Sequence, residues 1–458
     1  MPLVVANRRA YLPTILKAAC TISLYAFAGF IFNYTAKHVQ YPFIDEIFHL
    51  RQCQAYCSYN FKHWDHKITT PPGLYILGFL YSKTIELATG VAQLCQKYTV
   101  LRSLNLFAGL VVFPFVLGTI FKSRRPGEFW TINIVAQPLL FTYYFLFYTD
   151  VWSTILVTAA LALVNSRPAQ RPCMSAIFGF LSLWLRQTNI IWLAFIAAVY
   201  IDRKTPRSDA SSSSLDRIYK FTITSIQNWA RLLGYVANFA IFAAFVKYNG
   251  GITLGDKKNH QVQLHLVQVF YCFTFICFFT WPVLLHKRTL TNYARFLTGN
   301  YGVNLAFNAM SFWGIYYIIR NFTIVHPFLL ADNRHYTFYI YRRLLSPKYS
   351  PFVATPMYHF ASYSIVSSLS NAKSLSPITI MAFLVAVVLT IVPSPLFEPR
   401  YYIIPLIIFR LNVGPRYKYA HVGEFAWLML INSLTSLVFF NYTFTWSSEP
   451  NTIQRIIW

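Results

Sequence analysis

Acidic residues are scarce in this chain. Its 458 residues include 14 Asp and Glu against 39 Lys and Arg, and charged residues make up only 12% of the total. A soluble domain carries about 25% charged residues, so a water-soluble globular protein is excluded. The seven cysteines are too few and too scattered for a disulfide scaffold. The apolar runs are continuous rather than alternating, which excludes a β-barrel. There is no internal repeat, and the two halves do not resemble one another, which weighs against an inverted-repeat transporter. A DxD pair is missing and the histidines have no standard ligand spacing, so no divalent metal and no other cofactor is indicated. Residues 18–32 are apolar enough for a signal peptide, but no small-residue cleavage site follows them.

What is abundant is apolar sequence, 56% hydrophobic and 19% aromatic. About a dozen runs approach the roughly 20 residues that cross a bilayer. Membrane-buried backbone must satisfy its own hydrogen bonds, so these spans are expected to be helices. The net charge of +25 would suggest nucleic acid in a soluble protein. Here it is assigned to short loops whose Lys and Arg fix topology, with no nucleic-acid partner expected. Asn7, Arg8, Arg9 and Lys17 precede the apolar run 18–32 of the first span, 14–34, and place the N-terminus in the cytosol. Residues 72–90 open with Pro71-Pro72-Gly73 and contain Lys83 and Glu86, and they read as a juxtamembrane helix rather than a span. Spans are then expected at 100–121, 129–148, 151–164, 173–185, 190–201, 231–247, 264–285 and 301–319, with three or four more between 352 and 444. The loop 202–220, with four serines from Ser211, reads as a flexible cytosolic linker. Sequons at Asn33, Asn321 and Asn441 all fall on the outer side of this map.

The dense polar sequence collects on that same side. Residues 41–75 bring together Asp45, Glu46, His49, His63, Asp65, His66 and Lys67, and further groups follow at Asp150, 186–189, 255–265, 326–335 and 398–402. Charges that converge beside a membrane domain are usually functional. Asp45 and Glu46 are neighbours, and on a helix neighbours diverge by about 100°. One can face a site while the other caps or pairs structurally, and the pair could also simply complement the dipole of a helix over 47–55. A carboxylate with nearby histidines suits general-base work on a hydroxyl. Lys67, Arg102, Arg186, Lys257, Lys258, Arg334 and Arg400 share the side and could hold a phosphate. Each taken singly fits a lipid-headgroup or helix-end role. His260, His265, His326 and His335, also taken singly, read as hydrogen-bonding residues. Trp64, Trp152, Trp184 and Trp192 fit an interfacial belt. Cys53 and Cys57, four apart in the polar stretch, are expected to be free thiols. Cys20, Cys95, Cys173, Cys272 and Cys277 are expected to be buried thiols.

Several blocks carry a resemblance: YPFIDEIFHLRQCQAYC, FKHWDHKITTPPGLY, LRQTNIIW, GDKKNH, HPFLLADNRHYTFYIYRR and EPRYYIIP, in order from Tyr41 to Pro405. The chain resembles the endoplasmic-reticulum dolichyl-phosphate-glucose-dependent α-1,2-glucosyltransferases, which add the last glucose to a lipid-linked oligosaccharide. The resemblance implies an all-α polytopic membrane protein, a single GT-C-like domain over 1–458 with about 12–14 spans. A first lumenal loop over 36–99 would carry juxtamembrane helices. It implies dolichyl-phosphate glucose as donor and a dolichyl-diphosphate-linked oligosaccharide as acceptor in the membrane of the endoplasmic reticulum, with a lumenal, metal-independent site. The catalytic base of the family falls on Asp45, with Glu46 as the alternative. His49, His66, Lys67, Arg102, Asp150, Arg186, Lys257, Arg334, His335 and Arg400 are the candidates for donor phosphate and substrate contacts. The donor glucose would be β-linked and the product α-linked, so the reaction would invert. The competing readings are a lipid or solute transporter and a non-catalytic regulator.

Overall fold

The computed structural model describes residues 14–122, 131–165, 170–206, 214–372, 375–415 and 419–458. Helices follow the apolar runs, as dry backbone requires. The chain opens with α1 (Thr14–His38), α2 (Glu46–Cys57) and α3 (Gly73–Thr89). Next come α4 (Tyr98–Phe107), a wide π turn at Ala108–Val112, and α5 (Phe113–Lys122). Two short helices, α6 (Thr131–Val135) and α7 (Pro138–Phe141), precede α8 (Asp150–Asn165), α9 (Pro172–Leu183), α10 (Asn189–Lys204), α11 (Ser214–Gln227) and α12 (Trp229–Asn249). The second half holds α13 (Gln268–Leu284), α14 (Lys287–Thr298), α15 (Tyr301–Asn321), α16 (Pro327–Ala331), α17 (Tyr336–Ile340), α18 (Ser350–Ser370), α19 (Pro377–Ile391), α20 (Ile403–Asn412) and α21 (Ala420–Asn441). A hairpin of β1 (Phe444–Trp446) and β2 (Glu449–Gln454) follows the last helix.

Among the described residues, four helical stretches are long and apolar enough to cross a membrane by themselves: 15–38, 98–120, 229–249 and 420–441. The helices at 150–165, 172–183, 268–284 and 377–391 are apolar but shorter. The expected span at 129–148 is broken. Gln137 is extended ahead of Pro138 (ψ 120°), because the residue before proline is driven out of the helical region. A 3₁₀ turn at Thr142–Phe145 then releases the chain into an extended stretch at Leu146. The loop expected at 202–220 is also corrected: 202–204 close α10 and 214–220 open α11, while 207–213 lie outside the described residues. On α11, Leu215, Ile218 and Tyr219 are exposed beside Arg217 and Lys220, the pattern of a helix lying in an interface. The basic residues expected at 7–9, 124–125, 167, 416 and 418 also lie outside the described residues.

Two buried ion pairs brace the bundle. Arg410 forks onto Glu424 at 2.5 and 2.6 Å, and Asn133 adds a bond to Glu424 at 2.7 Å. The second joins Arg102 to Glu46, both wholly inaccessible. Arg102 donates from Nε to Oε1 at 2.9 Å and from Nη2 to Oε2 at 2.6 Å, and it also donates to the carbonyls of Val39 and Tyr41. Glu46 accepts further from the backbone of Phe43 at 3.0 Å and of Phe147 at 2.8 Å. The release of the chain at Leu146 is what makes Phe147 available, since within a continuing helix its N–H would be committed. Three separate segments, 39–46, 102 and 147, are thereby tied together.

The expectation of free thiols is corrected in part. Cys57 forms a disulfide with Cys95, 38 residues on, and Cys53 stays reduced and buried. The bridge ties α2 to the turn after α3. The ends of α1 and α21 meet where the Tyr34 and Phe440 rings lie 4.7 Å apart and Arg455 donates to the carbonyls of Phe439 and His38. Asn33 and Asn441 therefore share one end of the bundle with the 41–75 stretch.

Glu46→Ala should lower stability by about 3–5 kcal/mol, because it strands a buried guanidinium. A fall in the melting temperature of the purified protein checks this, and an unchanged melting point would refute it. Cys57→Ser and Cys95→Ser should each cost about 2–4 kcal/mol, with the double substitution no worse than either alone.

Candidate active site

Ile44 sets the geometry. Its φ is +51°, a left-handed conformation that is costly for a β-branched residue and that clusters at functional sites. It turns the chain into the first turn of α2, so that Asp45 and Glu46 leave in different directions. Glu46 goes inward to Arg102. Asp45 sits at the helix start, makes no side-chain cap bond and keeps its carboxylate 42% exposed. It faces Arg400, whose Nη1 donates to Asp45 Oδ2 at 3.2 Å.

Arg400 is presented by a short turn, Pro399–Tyr402, that follows an extended Glu398. Pro399 begins this turn with a fixed φ, which folds the chain so that Arg400 Nε reaches back to Glu398 Oε2. Burial alone would raise the Glu398 pKa, but the Arg400 guanidinium holds it down to about 2. Arg400 keeps its proton far beyond the usual range: burial works against the charge, and Glu398 and Asp45 outweigh it. Tyr401, beside it, lies between two guanidiniums, with Arg400 Cζ 5.9 Å and Arg186 Cζ 5.7 Å from its ring centre. Arg186 in turn pairs with Asp150 at 2.7 Å. Asp150 Oδ2 and Arg186 Nε are buried and have no hydrogen-bond partner.

A small cleft opens beside the Asp45–Arg400 contact. Asp45, Glu398 and Arg400 form one wall. Tyr143 and Tyr148 form a second, their rings 5.2 Å apart. His335, Thr337, Ile457 and Trp458 complete it. His49 stands behind Asp45, one turn along α2, and its Nδ1 shares a 2.8 Å hydrogen bond with the Tyr75 hydroxyl. Burial first, and Arg400 in addition, push the His49 pKa down to about 4 against the opposing pull of Asp45. His49 is therefore neutral near pH 7.

Of the sequence candidates, the fold brings Asp45, His49, Asp150, Arg186, His335 and Arg400 together. Glu46 and Arg102 lie beneath the cleft and are saturated by each other and by backbone, so neither reaches it. Arg334 forks onto Asp332, with Nη2 to Oδ2 at 2.7 Å, and stacks on Trp446 at 4.6 Å. His66 and Lys67 stand on the rim: the His66 side chain is 91% exposed, and Lys67 lies 5.3 Å from the Phe48 ring centre. Lys257 caps the end of α12 at the Asn249 carbonyl. Its loop docks on the rim through Asp256 N to His66 O at 3.0 Å. Gly255 is needed there, since a Cβ would run into the His66 carbonyl. Sequence reasoning missed Glu398, Tyr143, Tyr148, Ile457 and Trp458. For Glu398 the signal was present, an acid two residues before Arg400 in a chain with 14 acids in all. The tyrosines were hidden in a run taken for a span. Among the described residues, the three groups of potential metal ligands that lie within 4.8 Å of one another are the sulfurs of Cys53, Cys57 and Cys95, two of which are bonded together.

The three sequons all lie at the cleft's end of the bundle. Asn33 and Asn441 are near the meeting ends of α1 and α21, and Asn321 ends α15 five residues before His326, whose pKa is lowered by burial while nearby Glu398 pulls it the other way.

The sequence profile of the DIE2/ALG10 family matches residues 39–411. A Debaryomyces hansenii protein is 50% identical over 448 residues, covering 94% of this chain and 97% of its own. A Candida albicans protein is 50% identical over 460 residues, covering 97% and 100%. A Homo sapiens protein is 31% identical over 466 residues, covering 93% and 95%. All three bear the name Dol-P-Glc:Glc(2)Man(9)GlcNAc(2)-PP-Dol alpha-1,2-glucosyltransferase. No solved structure matches the chain. The matched span runs from the segment entering the Asp45 turn to the last turn of α20, beyond Arg400, and the chain belongs to the DIE2/ALG10 family.

Proposed function

We propose that this protein transfers glucose from dolichyl-phosphate glucose to the Glc(2)Man(9)GlcNAc(2) glycan carried on dolichyl diphosphate, forming an α-1,2 bond. It does so on the lumenal side of the endoplasmic reticulum membrane. The observation that carries the reading is the meeting of an exposed carboxylate, Asp45, with a doubly tethered guanidinium, Arg400, in one cleft. The shared name of relatives up to 50% identical supplies the substrates.

The reaction is a single displacement with inversion, the logic of an inverting glycosidase with a sugar hydroxyl in place of water. Asp45 accepts the proton of the acceptor 2-hydroxyl as that oxygen bonds to the glucose C1. The bond from C1 to the phosphate oxygen breaks, and its electron pair leaves with dolichyl phosphate. The departing phosphate needs no proton, only fixed positive charge where charge develops. Arg400 provides it, with Arg186 and His335 as the neighbouring donors. Of the two carboxylates on Arg400, Glu398 is partly buried and only two residues away in sequence, while Asp45 is more exposed and held at 3.2 Å. An incoming phosphate therefore displaces Asp45 first and releases it toward the acceptor. His49, uncharged, backs Asp45 without competing for the phosphate.

Asp45→Asn should lower kcat by roughly 10²–10⁴-fold with an unchanged melting temperature. Full activity with a synthetic two-glucose acceptor would sink the assignment. Arg400→Lys retains the charge but not the fork, and should cost about 10²-fold in kcat. Stability should fall with pH between 6.5 and about 4, where an unfolded chain takes up a proton that folded His49 refuses. His49→Gln should flatten melting temperature against pH across that window, relative to wild type. Parallel curves would refute the burial argument.

A further inference from the structure

A second cavity adjoins the cleft. It is small and lies between the outer halves of α1 and α21. Its walls include Ile31 and Thr35 from α1, Phe145 and Leu146 from the broken span, and Ser436 and Phe439 from α21. Ile457 and Trp458 line both spaces, so one short strip of chain separates the polar cleft from the apolar cavity. That strip is firmly held. Ile457 N donates to Arg334 O at 2.8 Å, Tyr336 N donates to Ile457 O at 2.9 Å, and the Tyr143 hydroxyl donates to Trp458 O at 3.1 Å. It lies outside the 39–411 range that defines the family match.

The cavity is apolar but not wholly so. Tyr336 Oη and Trp458 Nε1, both on lining residues, are buried and have no partner. Buried donors left unpaired call for an explanation, and an oxygen-bearing ligand supplies one. On the outside, Phe30, Leu434 and Leu437 expose 61%, 52% and 47% of their surface, an apolar flank beside the gap between α1 and α21.

We propose that this cavity binds the phosphate-proximal isoprene units of the donor lipid, with Ile457–Trp458 as the positioning strip that sets the sugar on one side and the lipid on the other. The inference rests on the glucosyl-transfer reading. Both substrates carry an isoprenoid, but only one can place it here. In the acceptor, the reacting glucose and the lipid stand at opposite ends of a large oligosaccharide. In the donor, a single phosphate separates the reacting carbon from the lipid. A lipid cavity sharing a wall with the Asp45 cleft is matched to the donor. The two orphan donors then face the bridging oxygens where phosphate meets isoprene.

The test uses the full-length protein and a diazirine-bearing farnesyl phosphate that contains no sugar, with cross-links mapped by mass spectrometry. Labels are expected in peptides containing Ile31–Thr35, Ser436–Phe440 or Ile457–Trp458, and dolichyl phosphate should suppress them. Ser436→Phe, which fills the cavity, should reduce labelling about tenfold and raise the donor KM by a similar factor, with the acceptor KM unchanged. Labels confined to other helices, or competition by the diphosphate acceptor lipid but not by dolichyl phosphate, would overturn the proposal. The wild-type map decides the matter alone if Ser436→Phe does not fold. Labelling of this cavity in a protein that transfers no glucose would instead refute the proposed reaction and leave the lipid site standing.

Discussion

The Glu46–Arg102 pair is the constraint from which the site's geometry follows. Two charges removed from water cost several kcal/mol each, and their attraction repays this only when every remaining lone pair and proton is satisfied. Here four donors converge on one carboxylate, and the guanidinium reaches two carbonyls besides. The pair thus fixes the backbone on both sides of Asp45 and the extended stretch at Phe147. A left-handed isoleucine at position 44 costs on the order of 1–3 kcal/mol, and it persists because its neighbours are pinned this way. The reward is positional: the side chain next to a buried glutamate is left free and pointed outward.

How much of this was legible in the sequence depends on the range of the interaction. That Asp45 and Glu46 must part company follows from helix geometry alone. Which one faces the cleft does not, because the deciding partner, Arg102, is 56 residues away. Arg102 shared a side of the membrane with the phosphate candidates, and side says nothing of depth. The Cys57–Cys95 bridge was missed for a related reason: the near neighbour, Cys53, drew the pairing argument, while Cys95 was counted as an apolar thiol. Apolar run length overstated the helices. It reports what is dry, and residues 131–148 are largely dry yet include a proline break and an extended stretch. The proline was visible there and was outweighed by hydropathy. The C-terminal hairpin and the Trp458 strip had no local signal.

The charge inventory of the cleft departs from a simple cationic pocket. Asp45, Asp150 and Glu398 stand against Arg186 and Arg400, so the guanidiniums are already neutralised before any lipid phosphate arrives. On the proposed reading, this is a condition for turnover rather than an obstacle. A bare cluster of arginines would hold the product dolichyl phosphate as tightly as it stabilised its departure, and binding that is equal in ground and transition states does not raise kcat. Arginines paired with acids bind phosphate only by exchange. The exchange is easiest at the exposed Asp45, which is the group that must be free when the acceptor hydroxyl gives up its proton. When the product leaves, Asp45 returns to Arg400 and helps expel it. The scarcity of acids in the rest of the chain sharpens the point: acids are concentrated where an arginine must be held, and at Arg400 alone, among these cleft pairs, two of them share one partner.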